Sequence, residues 1–348
     1  MGLARRISRR GGYVMVLVAL ALVVLMGSAA LTIDLGIMAA AAQRAQNVAD
    51  AAAFSAGMRL PEFSAGRIAA ADIIEANNEQ DSGIDVVCDA DESGSGVIFY
   101  GPHSTIPNYG ALGPVSWGVR VTATAPVELT FARVLGFERV TPERSCSVVR
   151  MPVGGAPIAP MWVNHDTEYL YGERQQLLMA DGPHYEDIPG SFGWLVPASG
   201  ERNDFAELLR GYELTPEQLY AAYVSLGDIV YAYTGLRTGQ WRGALETDFD
   251  GLARLQRAEW SPWDEDTFED YHDDNPRILI VPMVEYVSGS GSNAHFLIHR
   301  FGAFWLEAVD SHGNDKSIWG RFIDFTAPGA DGDPLAPDTG MWVVRTVE

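Results

Sequence analysis

The sequence predicts an α+β protein, with a single transmembrane helix that continues into a long Ala-rich stem helix and precedes two β-rich regions. Three observations support this class. Residues 13–33 are apolar and uncharged, residues 34–58 are rich in alanine without proline, and the rest consists of short apolar runs between turns. The 36 glycines and 19 prolines among 348 residues are typical of a turn-rich, β-rich fold. With 47% hydrophobic residues, the chain is too apolar to be intrinsically disordered.

The N-terminus carries the signals of a membrane anchor. Residues 1–12 contain no acid and four basic residues, which are Arg5, Arg6, Arg9 and Arg10. As a helix, the uncharged segment 13–33 spans about 30 Å, the thickness of the hydrocarbon core of a bilayer. Because basic flanks stay on the cytoplasmic side, we expect residues 1–12 in the cytoplasm and the chain after residue 33 outside it.

A cleaved signal peptide is the alternative to a retained anchor, because small residues at 28–30 offer a cleavage site. The apolar core of a signal peptide usually has about 7–15 residues, and this one is longer. The sequence therefore favours a single-pass protein of the cytoplasmic (inner) membrane.

Residues 34–60 are predicted to prolong the membrane helix into an extracytoplasmic stem. Alanine is the best helix former, and no proline occurs before Pro61. The membrane segment and the stem together form a rod of roughly 69 Å. Small residues along such a rod permit close approach of a second helix.

Residues 61–152 are predicted to form a small β-rich domain. We expect one helix at 65–77. We expect four strands, at 84–88, 97–100, 117–125 and 139–151. The apolar residues of 117–125 alternate, which predicts one buried face. The segment LTFARVLGF (129–137) predicts a short helix that ends at Gly136.

Cys88 and Cys146 fall in the first and the last of these predicted strands. Outside the cytoplasm they are candidates for a disulfide, and two buried free thiols are the alternative. Sequence position does not decide between the two, because a disulfide requires Cα atoms within about 7 Å of each other.

Residues 157–348 are predicted to form a larger, Trp-rich α+β domain, with VGGAP (153–157) as the linker. Eight of the 9 tryptophans lie in it, so it has the material for its own core. We expect helices at 203–211, 215–225 and 243–258, and strands at 277–287, 294–301, 303–310, 317–325 and 341–347. A sugar-binding platform is another use of tryptophan, but filling a β core is commoner.

The charge of the chain limits its partners. The net charge is -22, which excludes a nucleic acid because phosphate binding needs a basic surface. The densest acidic run, 263–275, predicts a solvated loop. Weak calcium candidates in this run and in the turn 89–94 are Asp264, Asp266, Asp270, Asp273, Asp89 and Asp91.

The catalytic patterns in the sequence are incomplete. PGSFG (189–193) has proline where a nucleophile elbow needs glycine. His295 and His299 lie four residues apart on a predicted strand, about 13 Å, which is too far for one ion. We therefore predict that the protein is not an enzyme, that it has no catalytic residue and no cofactor, and that its only metal candidates are the weak calcium ones.

Two motifs lie in the stem, and the first of them begins just before it. AALTIDLG (29–36) contains Asp34 and Gly36, and the segment 43–57 contains Gln46, Asn47 and Asp50. With FARVLG (131–136) further on, this ordered set resembles the TadE/TadG-like family of Flp (tight adherence) pilus-assembly proteins. The fifth residue after Gly12 is Leu17 and not glutamate, so the prepilin-peptidase signature is missing. The chain is therefore most similar to the TadG-like members, which keep their anchor.

The resemblance implies a membrane-anchored, non-catalytic structural component of a Tad/Flp-type pilus assembly system. It implies that residues 61–152 are pilin-like, and that the partners are the cytoplasmic membrane and components of the pilus machinery or pilins. The alternative is an anchored surface adhesin or ligand-binding protein, in which the Trp-rich region recognises the ligand.

Overall fold

The computed structural model describes residues 11–79, 83–90, 95–166, 170–179, 191–196, 204–234, 238–310, 317–328 and 330–347. It is a mixed α+β protein in which one long apolar N-terminal helix precedes two large sheets. The predicted fold class is confirmed at this level.

The helices of the described residues confirm most of the predicted ones. They are α1 (Gly11–Gly57), α2 (Phe63–Glu79), α3 (Phe205–Arg210), α4 (Pro216–Ala222), α5 (Thr238–Leu245) and α6 (Arg254–Arg257). α4 begins with a capping box, in which Thr215 and Gln218 each bond the other's backbone N–H. A 3₁₀ turn, Ala132–Leu135, occupies the predicted short helix and ends at Gly136, which has φ 92°.

The strands are numbered in chain order. They are β1 (Val97–Tyr100), β2 (Thr105–Ile106), β3 (Gly110–Ala111), β4 (Trp117–Thr124), β5 (Val127–Glu128), β6 (Arg139–Val140), β7 (Glu143–Pro157), β8 (Val163–Asn164), β9 (Gln175–Met179), β10 (Ser191–Leu195), β11 (Tyr223–Ser225), β12 (Ile229–Thr234), β13 (Ile278–Ser288), β14 (His295–Asp310), β15 (Ser317–Ile323), β16 (Phe325–Thr326), β17 (Asp331–Gly332) and β18 (Met341–Val347).

The two halves of α1 have opposite environments. Residues 13–33 are exposed and apolar, which makes this helix long and apolar enough to cross a membrane. The second half packs on α2, β4 and β7. Its inner face is formed by fully buried alanines, which are Ala41, Ala45, Ala49, Ala52, Ala53 and Ala56. Because alanine has no side chain beyond Cβ, the helix lies close against the sheet.

The first sheet has the strand order β1–β4–β7–β18–β16, and β11 and β17 pair with the far end of β7. β7 is its central strand, since β4 pairs with it along one edge and β18 along the other. The alternation predicted for 117–125 is confirmed, because Val119, Val121, Ala123 and Ala125 are all fully buried.

The predicted linker at 153–157 is wrong, because these residues are the last part of β7. They pair with β11 and β17. Glycine fits here because of close packing: a Cβ on Gly154 would lie 2.6 Å from the Cβ of Asp333. The sheet of the predicted 61–152 domain thus takes strands from the predicted 157–348 domain, including β18.

The second sheet has the order β10–β12–β14–β13–β8, and β15 pairs with both β14 and β9. One face packs on a core shared with the first sheet, in which Val153 and Met341 contact the second sheet's side chains. The other face is covered by α3 and α5. Five of the eight tryptophans of this region are buried, namely Trp162, Trp194, Trp241, Trp305 and Trp342. Core filling is therefore the use of most of them.

The predicted helix at 243–258 is also wrong. The chain forms α5, turns at Gly251 with φ 73°, and then forms α6. The side chain of Phe249, in the middle of the predicted range, is fully exposed. The predicted strands 294–301 and 303–310 are one continuous strand, β14, and 84–88 contributes only a single bridge at Val87.

Substitution of Ala49 tests the packing of the stem. We expect Ala49→Leu to lower the free energy of unfolding by about 1–3 kcal/mol, because a fully buried alanine leaves no room for a larger side chain. Ala51 on the exposed side of the same helix is the matched control, and Ala51→Leu should change stability by less than about 0.5 kcal/mol. Chemical unfolding of the detergent-solubilised chain measures both. Equal losses for the two variants would contradict the packing.

Candidate functional site

The junction between α1 and the first sheet is built around Asp34. This residue is the first charged one after the apolar segment 13–33. Its side chain is turned inward, and only 1% of the residue is exposed. An ionised carboxylate is stable in such a position only when hydrogen bonds replace the water that it loses.

Three consecutive backbone N–H groups supply these hydrogen bonds. The amides of Thr130 and Phe131 each lie 2.9 Å from a carboxylate oxygen of Asp34, and the amide of Ala132 lies at 2.5 Å. These amides lead into the 3₁₀ turn, where successive N–H groups form a concavity that favours an anion. The carboxylate of one motif, DLG, thus binds the backbone of the other, FARVLG. We call this contact the Asp34 latch.

The electrostatics of the latch favour the ionised carboxylate. Burial alone would raise the pKa of Asp34, but the backbone hydrogen bonds from Ala132, Thr130 and Phe131 outweigh it and lower the pKa. The latch therefore holds a full negative charge at neutral pH.

Apolar surface surrounds the latch at the point where α1 leaves the first sheet. Phe131 and Phe137, on either side of the 3₁₀ turn, are 42% and 65% exposed. Ile33, Gly36 and Ala40 of α1 line a groove whose other wall includes Val127. Exposed aromatic rings beside an apolar helix are typical of the boundary between membrane and water.

The other predicted motif residues lie on the sides of the stem. Gln46 donates a hydrogen bond to Asp50 one turn on, at 2.6 Å, and Gln43 donates one to Asn47 at 2.8 Å. A Cβ added to Gly36 would meet no atom within 4 Å, so this glycine borders open space.

One outward face of the stem is continuous. Its members recur every three or four residues and are exposed, and they are Gly36, Ala40, Gln43, Asn47, Ala51, Phe54 and Met58. We call this set the exposed stem face. Its residues are small and polar near the apolar segment 13–33 and apolar at the far end.

The candidate pair of cysteines is not joined by a disulfide: Cys88 is half-buried and Cys146 is buried. Val87, next to Cys88, pairs with β4 from the side of β1, whereas Cys146 pairs with β4 from β7. β4 lies between them, so two strand spacings, about 9.6 Å, separate their backbones. This exceeds the reach of a disulfide of about 7 Å. Burial, with a contribution from Asp89, raises the pKa of the Cys88 thiol to about 11.

Two acidic residues of 263–275, Asp266 and Asp274, bind neighbouring protein groups. Asp266 accepts hydrogen bonds from the His272 ring at 2.7 Å and from the Asn275 amide at 2.6 Å, and Asp274 accepts one from the Trp263 indole. Within the described chain, Asp264, Asp266, Asp270, Asp273 and Asp89 do not belong to a group of three ligands close enough for one ion. The candidate Asp91 and the topology residues Arg5, Arg6, Arg9 and Arg10 lie outside the described residues.

Two features of the site have no direct signal in the sequence. The partners of Asp34 are backbone amides almost 100 residues away, at Thr130–Ala132. His165, Glu285 and His299 come together from three different strands or strand ends. Both arrangements depend on long-range pairing, which residue types and spacing do not encode.

Comparison of the chain with protein-family models, with curated proteins and with solved structures finds no match. The resemblance to TadG-like proteins therefore depends on the motifs of the chain itself.

Removal of the Asp34 carboxylate tests the latch. We expect Asp34→Ala to speed hydrogen exchange at the amides of Thr130–Ala132 by about tenfold or more, because their acceptor is lost. Asp34→Asn, which keeps one acceptor oxygen, should have an intermediate effect. Asp50→Ala, on the same helix, is the control and should leave these amides unchanged. Exchange measured by mass spectrometry would contradict the latch if Asp34→Ala behaved like the control.

The ion pair between Asp266 and His272 predicts a pH dependence of stability. The hydrogen bond and the charge of Asp266 raise the pKa of His272. Burial would raise the pKa of Asp266, but bonds from Asn275 and His272 lower it. The pair therefore stabilises the fold between about pH 4 and 6.5, and the contribution of His272 is lost as the pH rises through its raised folded pKa.

The measurement is the difference in melting temperature between the wild type and His272→Gln across this range. It should be largest below about pH 6.5 and shrink at higher pH. A difference that is constant from pH 5 to pH 9 would exclude the protonated pair.

Proposed function

We propose that the chain is a membrane-anchored, non-catalytic structural component of a Tad/Flp-type pilus assembly system. Residues 13–33 cross the cytoplasmic membrane, residues 1–12 remain in the cytoplasm, and the stem and sheets lie outside it. The partners are pilins or other components of the pilus machinery. The motifs of the stem and their resemblance to TadG-like proteins support this proposal.

The continuity of α1 is the observation that carries the proposal. The same helix is bare and apolar over 13–33 and packed into the first sheet from Ala41 onward, without a break between. An anchor joined by a flexible linker would leave the sheets free to rotate. A continuous helix instead holds them at a fixed height and orientation above the bilayer, as a scaffold requires.

The latch adds to this rigidity at the point where the proposed membrane segment ends. Asp34 is the first residue after the proposed membrane segment, and it binds the 3₁₀ turn directly. The exposed rings of Phe131 and Phe137 are then placed to lie on the membrane surface beside the helix. A pull on the sheets is transmitted to the anchor through this contact as well as through the helix.

The exposed stem face is the docking surface that this function needs. Its residues nearest the membrane are small or polar, and small residues let two helix backbones approach closely. We propose that the helical stem of a pilin or of another assembly component packs here.

The alternative of a surface adhesin has less support. A sugar platform requires exposed rings in one plane, whereas five of the eight tryptophans of the C-terminal region are buried in cores. We therefore propose no ligand-recognition role for them.

The function is tested in the native host by deleting the gene and restoring it with variants. We expect deletion to abolish pili and surface adherence, and the wild-type chain to restore both. Ala51→Trp, on the exposed stem face, should insert and fold but restore piliation poorly, because the indole blocks approach of a partner helix. Tyr220→Trp, at a residue that is 83% exposed in the second region, is the matched control and should restore it fully.

The gene deletion tests the proposed function, and the Ala51→Trp variant tests the docking surface. Normal piliation after deletion of the gene would overturn the proposed function. Loss on deletion with full restoration by Ala51→Trp would keep the function and exclude this face of the stem.

A further inference from the structure

Three side chains of types that commonly ligate metals lie together at one corner of the second sheet. His165 directly follows β8, Glu285 lies on β13 and His299 lies on β14, and these are neighbouring strands in the order β8–β13–β14. One ligand atom from each residue lies within 4.8 Å of the other two. In the part of the chain that the structure describes, this is the one group of three such residues close enough to hold an ion.

The backbone fixes the positions of the two histidines. The amide of His165 donates to the carbonyl of Val284 at 3.0 Å, so it continues the pairing of β8 with β13. The register between β13 and β14 shifts by one residue between Ile298 and Arg300, which makes His299 the extra residue of a β-bulge. Bulges re-aim a side chain and are enriched next to functional sites. Arg300 then donates a hydrogen bond to the carbonyl of His165 and ties the two strands together.

The contacts of the two imidazole rings are compatible with a shared ion. Nδ1 of His165 lies 2.8 Å from a carboxylate oxygen of Asp166, which leaves Nε2 of that ring as the ligand atom. A carboxylate on the second nitrogen is the usual device that orients a metal-binding histidine. Nε2 of His299 lies 2.6 Å from Oε2 of Glu285, and the two imidazole rings meet edge to face with centroids 4.4 Å apart.

The donor set selects the class of metal. Two imidazole nitrogens and one carboxylate oxygen favour zinc and similar transition metals over calcium or magnesium, which prefer oxygen ligands. Bonds of about 2.0–2.1 Å in a tetrahedron place the ligand atoms roughly 3.4 Å apart. The side chains of Glu285 and His299 are 51% and 42% exposed, so they can rotate to reach this spacing, while His165 is held at 18%.

We propose that His165, Glu285 and His299 form a binding site for one divalent transition-metal ion such as Zn²⁺. Asp166 is a positioning residue that orients His165, and the fourth coordination position faces the solvent. The ion would join β13 and β14 to the end of β8, a strand of only two residues at the edge of the sheet. This inference does not depend on the proposed function in pilus assembly.

The test uses the full chain in detergent, purified with a tag that contains no histidine and stripped of metal. Zinc is titrated in competition with a chromophoric chelator, and Co²⁺ is added separately to record its visible absorption. We expect one Zn²⁺ per chain and Co²⁺ bands typical of a four-coordinate site. His165→Gln, Glu285→Gln and His299→Gln should each weaken zinc binding at least tenfold, and Asp166→Asn should weaken it by about tenfold.

His295→Gln is the matched control, because His295 lies on the same strand and packs against the ring of Tyr231, outside the site. It should bind zinc as tightly as the wild type. Zinc should also raise the melting temperature of the wild type and of this control, but not that of Glu285→Gln, a variant that keeps the shape of the side chain. The proposal is overturned if the wild type binds no zinc, or if the three ligand variants bind as tightly as His295→Gln.

Discussion

The burial of one carboxylate where the apolar segment of α1 ends is the constraint on which the architecture depends. A charge on this face of α1 is tolerated only because the amides of Thr130–Ala132 replace its hydration. Asp34 lies about two helical turns before Ala41 and on the same face of the helix as the buried alanines. The latch therefore sets the rotation of α1 about its axis. That rotation brings the alanines against β4 and β7 and leaves the exposed stem face outward.

β7 connects the region beneath the stem to the second sheet. Its first residues pair with β4 beneath the stem, and its last residues pair with β11 and β17 beside the second sheet. The core that contains Val153 and Met341 continues from one sheet into the other. The part of the chain beyond the stem is therefore closely integrated, and a movement of α1 reaches the second sheet through packed strands.

Local signals in the sequence predicted local structure well. The uncharged segment and the alanine run gave the bounds of α1 within a few residues, and alternation gave the buried face of β4. Apart from the helix predicted at 243–258, which is interrupted by the turn at Gly251, the failures were long-range. VGGAP has the composition of a linker but is held in β7 by strands that come from residues beyond 220. The two cysteines lie on opposite sides of β4, which no spacing reveals. The spacing of His299 from His295 excludes a shared ion, but it does not reveal that His165 and Glu285 lie beside His299, at the end of β8 and on β13.

The pairing of β7 with β18 has a consequence for how the protein is made. Residues 158–340 separate these two neighbouring strands. The first sheet therefore cannot be completed until all of these residues and β18 have been synthesised. Contacts of such high sequence separation form slowly. During this interval the newly made chain carries β7 with one open edge, and open edges of β-strands promote aggregation. The protein is thus most prone to aggregation during its synthesis. This stage ends when β18 has been made and pairs with β7.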